Sequence, residues 1–275
     1  MKSAIRTVTL LAVVVLMAAI PAQAQAPTEI PIGQPTTLAI GKDSFLQLRA
    51  VTGDIEVTRA VGPEVVVTAI REGGAAEPRV VLIEDGKGFT LCTVYSSPNP
   101  KKPNECLPKG KGRLNEGITK DSPKMRVHVA MPEGVLFIAR INLGNIQAAV
   151  GASDLDLKTD FGNISIVDGG SASIWASIVT KGDLTARISP VDYKYQRDIR
   201  LTCQYGAMRV YVDESLPIEY QISAYGSIET PFRLARPKSL TRTGRLGPDA
   251  PTSLRLNLDA AALFARLYLL PILNR

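Results

Sequence analysis

The chain has 275 residues, 45% hydrophobic but only 5% aromatic, and carries a formal net charge of +6. Such a chain is globular and aliphatic, long enough for one β domain with a thin core of small and branched side chains. Its charge is spread along the sequence with no tight basic-aromatic patch, which argues against nucleic acid as a partner.

Residues 1–24 read as a secretory signal peptide: Lys2 and Arg6 at the start, an apolar core from Leu10 to Ile20, and the small-x-small site Ala22-Gln23-Ala24. The apolar run is shorter than the ~20 residues that a membrane span needs. Cleavage after Ala24 would remove two cations and no acid, leaving 251 residues at net +4. No later segment has transmembrane length, so the mature chain is expected to be exported, to the periplasm, the cell surface or beyond.

Residues 26–40, rich in Pro and Thr, suit an entry strand or cap. Strands are expected over 46–51, 54–58, 64–70, 79–83 and 88–95, joined by Gly53, by Val61-Gly62-Pro63 and by a glycine- and alanine-rich turn at 72–78. A loop insertion over 96–122 follows, holding Pro98, Pro100, Pro103 and Pro108 together with Lys101, Lys102, Lys109, Lys111 and Arg113. Cys92 and Cys106 bracket its first half, and in an exported protein such a pair closes a disulfide. A ring of this size restrains the unfolded chain by about 3 kcal/mol. The stapled loop reads as a solvated insertion held shut for stability, or as a projecting basic element that touches an anionic surface.

Residues 126–130 alternate as a strand, Met131-Pro132-Glu133-Gly134 turns, and 135–140 lead into the organising feature of the chain. Glycines recur at Gly144, Gly162, Gly182, Gly206 and Gly226, with an outlying copy at Gly53. After each comes a turn-forming or small residue: Asp54, Asn145, Asn163, Asp183, Ala207 and Ser227. Two places on come Ile55, Ile146, Ile164, Leu184, Met208 and Ile228, all large and apolar; polar and then mostly apolar residues follow. This is period two on either side of a glycine, hence strand, sharp bend, strand. A spacing of about 20 residues marks stacked repeats. The expected fold is all-β, a single-stranded β-solenoid with one rung per copy and the aliphatic residues in one dry column. The competing arrangement is an antiparallel meander, since Gly-Asn and Gly-Asp also signal hairpins.

Three places before each glycine, the register points Cys203 inward beside Thr159, Val179 and Ser223, as a buried and inert thiol. His128, the one histidine, has no second histidine for a metal and no serine motif to activate. Asp154, Asp156 and Asp160 form the best acidic cluster, of the kind a polysaccharide lyase or hydrolase would need. Beyond residue 232 the pattern fades into a basic, loop-like stretch over 233–247. Residues 254–258 return as a strand, and 259–270 read as a capping helix through Leu263, Phe264, Leu267 and Leu270, or as a degenerate last rung with Ala261 at the glycine position.

Thr52-Gly53-Asp54-Ile55-Glu56-Val57, Thr159-Asp160-Phe161-Gly162-Asn163-Ile164-Ser165-Ile166 and Ser223-Ala224-Tyr225-Gly226-Ser227-Ile228 carry a resemblance. So do Leu91-Cys92-Thr93-Val94-Tyr95 with Cys106, and Val129-Ala130-Met131-Pro132-Glu133-Gly134-Val135. Over residues 45–258 the chain resembles the bacterial putative-adhesin domains of unknown function, a family of secreted β-solenoid proteins. The resemblance implies an exported β-helix without catalytic residues. The domain plan is thus a signal peptide over 1–24, a solenoid domain over 25–232 and a basic loop with cap over 233–275. The function expected is a non-enzymatic scaffold that binds an envelope protein or a glycan surface. No catalytic residue, cofactor or metal is assigned, and Cys92 and Cys106 are the only special pair. An enzyme acting on polysaccharide, or a structural or regulatory envelope module, are the alternatives.

Overall fold

The computed structural model describes residues 27–74, 78–119, 121–168, 170–189, 197–235, 240–248, 254–261 and 266–272. The expected signal peptide at 1–24 lies outside them. The protein is all-β: among the described residues there are nineteen strands in one continuous curled sheet, no α-helix, and a single 3-10 turn at Pro108–Gly110.

In chain order the strands are β1 (Thr28–Ile30), β2 (Pro35–Leu38), β3 (Phe45–Arg59), β4 (Val65–Glu72), β5 (Arg79–Asp85), β6 (Gly88–Val94), β7 (Lys124–Met131), β8 (Leu136–Val150), β9 (Leu155–Phe161) and β10 (Ile164–Asp168). Then come β11 (Ser173–Lys181), β12 (Leu184–Arg187), β13 (Arg197–Cys203), β14 (Ala207–Val212), β15 (Ile218–Ala224), β16 (Ser227–Glu229), β17 (Thr241–Leu246), β18 (Leu254–Ala260) and β19 (Arg266–Pro271).

Each glycine unit supplies a strand before its bend and a strand after it; in β3 and β8 the two run on as one 15-residue strand through Gly53 and Gly144. Successive units pair in parallel. β3 lies on β8, the two halves of β8 lie on β9 and β10, and these lie on β11 and β12, then on β13 and β14. A meander would have paired them antiparallel. The apolar positions therefore line up across layers, as Ile55, Ile146, Ile164, Leu184 and Met208 do after the bend. Before the bend, Leu46, Phe137, Leu155, Ile174 and Ile199 form a matching file. All ten are sealed from solvent. Removing each such side chain from water contributes roughly 1.5–3 kcal/mol.

Glycine is required at the bend because backbone stacks on backbone there. A Cβ on Gly144 would lie 1.6 Å from the carbonyl oxygen of Gly53, and one on Gly162 would lie 2.1 Å from that of Gly144. The residue after the glycine has a second task. Asp54 Oδ1 accepts the backbone N–H of Asn145, Asn145 Oδ1 that of Asn163, Asn163 Oδ1 that of Asp183, and Asp183 Oδ1 that of Ala207. Short side-chain acceptors thus satisfy bend N–H groups one layer on, which the bent backbone would otherwise leave unpaired.

The C-terminus departs from expectation. The cap expected over 259–270 is neither a helix nor an end rung in its described parts: β18 runs to Ala260 and β19 starts at Arg266, both strands of an interior layer. Residues 262–265 lie outside those described. β18 pairs in parallel with β13 on one side and β15 on the other, and β19 likewise sits between β14 and β16. Leu267 thus stands between Met208 and Ile228 in the column. The tail is an interior layer because its alternating leucines, Leu254, Leu256, Leu258, Leu267 and Leu269, all need cover on both edges, and all are buried. The end of the stack is closed by the stretch expected to be a loop. β17 pairs antiparallel with β15, and Phe232, Leu234 and Leu246 pack on the core. At the other end β6 and β7 lie parallel to β3, and β5, β4, β1 and β2 add antiparallel strands outside them.

Candidate binding surface

Thr52, before the outlying Gly53, is buried, but from Gly144 onward the residue before each repeat glycine stands on the outside of the bend. Leu143, Phe161, Tyr205 and Tyr225 occupy this position at 45, 47, 53 and 51% exposure. Leu143 and Phe161 are direct neighbours in adjacent layers, and Phe161 is followed by Lys181. Tyr205 comes one layer further, its carbonyl accepting the N–H of Gly182, and Tyr225 follows beyond the inserted layer, its N–H donating to the Ala260 carbonyl. The result is a ridge of large, half-exposed side chains, Leu143 and Phe161 one layer of about 4.8 Å apart and the two tyrosines further along, each after an intervening layer. The glycine repeat carries its signal in the sequence, one place upstream of the bend. On the outer sheet faces, Arg200 lies over the Trp175 ring at 5.4 Å and Arg209 over Tyr268 at 5.3 Å.

A second feature lies on the outer face of the strands before the bend. Arg49, Arg140 and Lys158 are in register on β3, β8 and β9. The 96–122 loop does not project; it folds back beside them. Its staple is formed: Cys92 and Cys106 are joined by an S–S bond of 2.01 Å, with Cα atoms 5.8 Å apart. Cys92 is the register partner of Arg49. Arg49 Nη1 donates to the carbonyls of Lys111 (2.5 Å) and Gly112 (3.2 Å), and Asp85 accepts the N–H of Lys109. Asn104 Nδ2 donates to the carbonyls of Tyr95 and Glu116. Tyr95 Oη donates to the Pro123 carbonyl, and burial pushes its phenol up to about 12. Burial lowers the pKa of the Arg49 guanidinium. Between loop and sheet runs a groove of about 310 Å³ lined by Gln47, Arg49, Arg140, Asn142, Lys158 and Asp160, among others.

The acidic cluster proposed from sequence is dispersed among structural tasks. Asp154 Oδ1 accepts the backbone N–H of Ser173 in the next layer. Asp156 is ion-paired with Arg140, which also donates to the Asp156 carbonyl. Asp160 accepts from Asn142 Nδ2 at 2.8 Å. Carboxylates so engaged do not form the facing acid pair that glycoside hydrolysis uses. Among the described residues no three His, Cys, Asp or Glu side chains are grouped to hold a metal ion. His128 is half-buried, and a 3.1 Å hydrogen bond links its Nε2 to Thr58 Oγ1. Cys203 is inward and sealed, but its register neighbours are Ile178 and Ala260, not Val179 and Ser223. A bulge between Ile178 and Lys181 shifts the Gly182 copy by one residue, and in the Gly226 copy Ala224 takes the aligned place. Burial, with the Asp183 carboxylate adding, pushes the Cys203 thiol up to about 11. Among the described residues no helix is long and apolar enough to cross a membrane.

No protein-family model matches the chain, and no curated protein matches it in sequence. A crystal structure described as a "putative cell adhesion protein" from Clostridium sporogenes superposes at a TM-score of 0.50, with 12% identity, over 90% of this chain and all of that one. A "putative adhesin" from Bacteroides fragilis reaches a TM-score of only 0.22 at 10% identity, over 87% of this chain and 96% of that one, too distant to bear on the fold. The likeness to the first is one of fold.

Proposed function

We propose that this chain is an exported, non-catalytic β-solenoid that binds a surface, and that the ridge along its bends makes the contact. The observation that carries this reading is the file of half-exposed Leu143, Phe161, Tyr205 and Tyr225 along one edge of the stack, with Lys181 between Phe161 and Tyr205 and the inserted tail layer between Tyr205 and Tyr225. Large, mostly apolar side chains left in the open along one edge mark interaction sites, because their exposure costs stability that binding recovers. Tyrosine and phenylalanine rings present flat faces with little entropy to lose, suited to sugar rings or to a protein surface. The closed Cys92–Cys106 disulfide supports an oxidising compartment, as export through a signal peptide over 1–24 would provide. The C. sporogenes protein of similar fold is described as a "putative cell adhesion protein", which supports the same class of role.

The test is binding of the purified, disulfide-intact chain to whole bacterial cells, isolated envelope and a glycan array, beside a Tyr205→Ser/Tyr225→Ser variant of unchanged thermal stability. The double variant is expected to bind at least tenfold more weakly. Binding that survives it undiminished, or no binding to any of these surfaces, overturns the reading.

A further inference from the structure

We infer that the groove between the disulfide-closed loop and the outer sheet face accepts the carboxylate of an acidic polysaccharide, so that the scaffold's ligand is a uronate-type glycan. This rests on the binding reading above and names its ligand class.

Like charges on adjacent in-register strands are ordinarily destabilising. Yet Arg49, Arg140 and Lys158 stand side by side over three layers. Only one of the three is neutralised: Arg140 is paired with Asp156. Arg49 is held by two neutral carbonyls through Nη1, and its remaining N–H groups have no partner among the described residues. Lys158 is exposed and makes no ion pair among them. Arg49 and Arg140 are thus held in place while the row as a whole is short of anions. Guanidinium forks match carboxylate geometry, and a partly desolvated one gains more from it than a hydrated ammonium does.

The rest of the lining selects the kind of anion. Gln47 and Asn142 offer neutral amide groups, and the Asp160 carboxylate is an acceptor for hydroxyls. Asp160, on the lining, would repel a dense phosphate polymer, whereas a uronate chain carries one charge per sugar and hydroxyls between. The volume of about 310 Å³ lies at the small end of the ~300–1,000 Å³ range of ligand pockets, so the groove takes part of a chain and not a whole one. Its lining reaches Asn142 and Asp160, the residues immediately before Leu143 and Phe161. A polymer anchored there by a carboxylate can continue onto the ridge.

The experiment measures binding of the full disulfide-bonded chain to oligogalacturonate, neutral dextran, inorganic phosphate and phosphatidylglycerol vesicles, at low and moderate salt. Oligogalacturonate is expected to bind, to weaken as salt rises, and to lose at least tenfold affinity in Lys158→Glu, an exposed position whose change leaves folding intact. Arg49→Gln is the second variant, scored only on material whose melting matches wild type. No uronate binding, uronate binding unaltered by Lys158→Glu, equal competition by inorganic phosphate, or vesicle binding in place of uronate binding would each overturn the inference. Loss of cell-surface binding in Tyr205→Ser/Tyr225→Ser with Lys158→Glu unaffected would overturn the groove while leaving the scaffold reading standing.

Discussion

Asp168 and Arg197 form an ion pair sealed inside the protein, with side-chain exposures of 0 and 1%. Every polar edge of the pair is used. Asp168 Oδ1 accepts the N–H groups of Gly170 and Ser171, both at 2.8 Å, while Arg197 Nε donates to the Ser171 carbonyl and Nη1 to the Ser189 carbonyl. The pair ties together the connections after β10, β12 and before β13, at the side of the stack away from the glycine bends.

Breaking it from one side leaves the other charge buried without a partner, a loss of about 3–5 kcal/mol. Asp168→Asn and Arg197→Met are each expected to destabilise by that amount in urea unfolding, and the double variant by clearly less than the sum. Additive single effects in such a cycle would mean that the pair is not coupled and that each residue acts alone.

The inserted tail has a harsher consequence. Removing residues 248–275 deletes β18 and β19, an interior layer, together with the buried Leu254, Leu256, Leu258, Leu267 and Leu269. At roughly 1.5–3 kcal/mol each, these five side chains together are comparable to the ~5–15 kcal/mol net stability of a typical domain. The truncated chain is expected to lose its cooperative thermal transition and to become protease-sensitive. A terminal cap would cost far less, so a sharp melt within a few degrees of the full chain would contradict the interior placement.

That placement also marks where the sequence stops being legible. Period-two alternation around Gly144, Gly162 and Gly182 specifies strand, bend and inward face, because those follow from local geometry alone. It does not say which copy lies on which. Met208 and Ile228 belong to consecutive copies 20 residues apart, yet Leu267 separates them, since any alternating leucine segment satisfies the same edge. The neighbours of Cys203 depart from the glycine register for a related reason: the bulge between Ile178 and Lys181 shifts the pairs before it by one residue, and in the Gly226 copy Ala224 takes the aligned place. The ridge was readable in Phe161, Tyr205 and Tyr225 once the position before the glycine is inspected. The groove was not, because it exists only where the Cys92–Cys106 loop folds onto Arg49, and nothing local in a proline- and lysine-rich segment dictates that docking.

The bend ladder separates two kinds of small residue. Asn163→Ala removes the acceptor for the Asp183 N–H and is expected to cost about 1 kcal/mol, while Asn163→Asp keeps an oxygen there and should be nearly neutral. Gly162→Ala drives a methyl against the Gly144 carbonyl at 2.1 Å and should cost several times more, as strained core replacements do. Urea unfolding of the three variants gives the order directly. Equal losses in the Ala and Asp variants would show that the side-chain oxygen does not matter.

Cys203 makes a prediction about alkali. Its thiol is sealed, with Sγ 3.4 Å from the Gly182 carbonyl, and holds its proton up to about pH 11 against an ordinary value of 9.0. The folded state thus binds this proton more tightly than the unfolded chain does. The stability it contributes is complete below about pH 9 and is lost as the pH rises through about 11. Iodoacetamide at pH 8 should leave Cys203 untouched in the native protein and label it in urea. Between pH 9 and 11 the unfolding free energy should fall more steeply for wild type than for Cys203→Ala, whatever that variant's cost at neutral pH. Labelling of the native protein at the rate of a free thiol, or parallel pH profiles for the two proteins, would place Cys203 in contact with solvent and out of the inner file between Ile178 and Ala260.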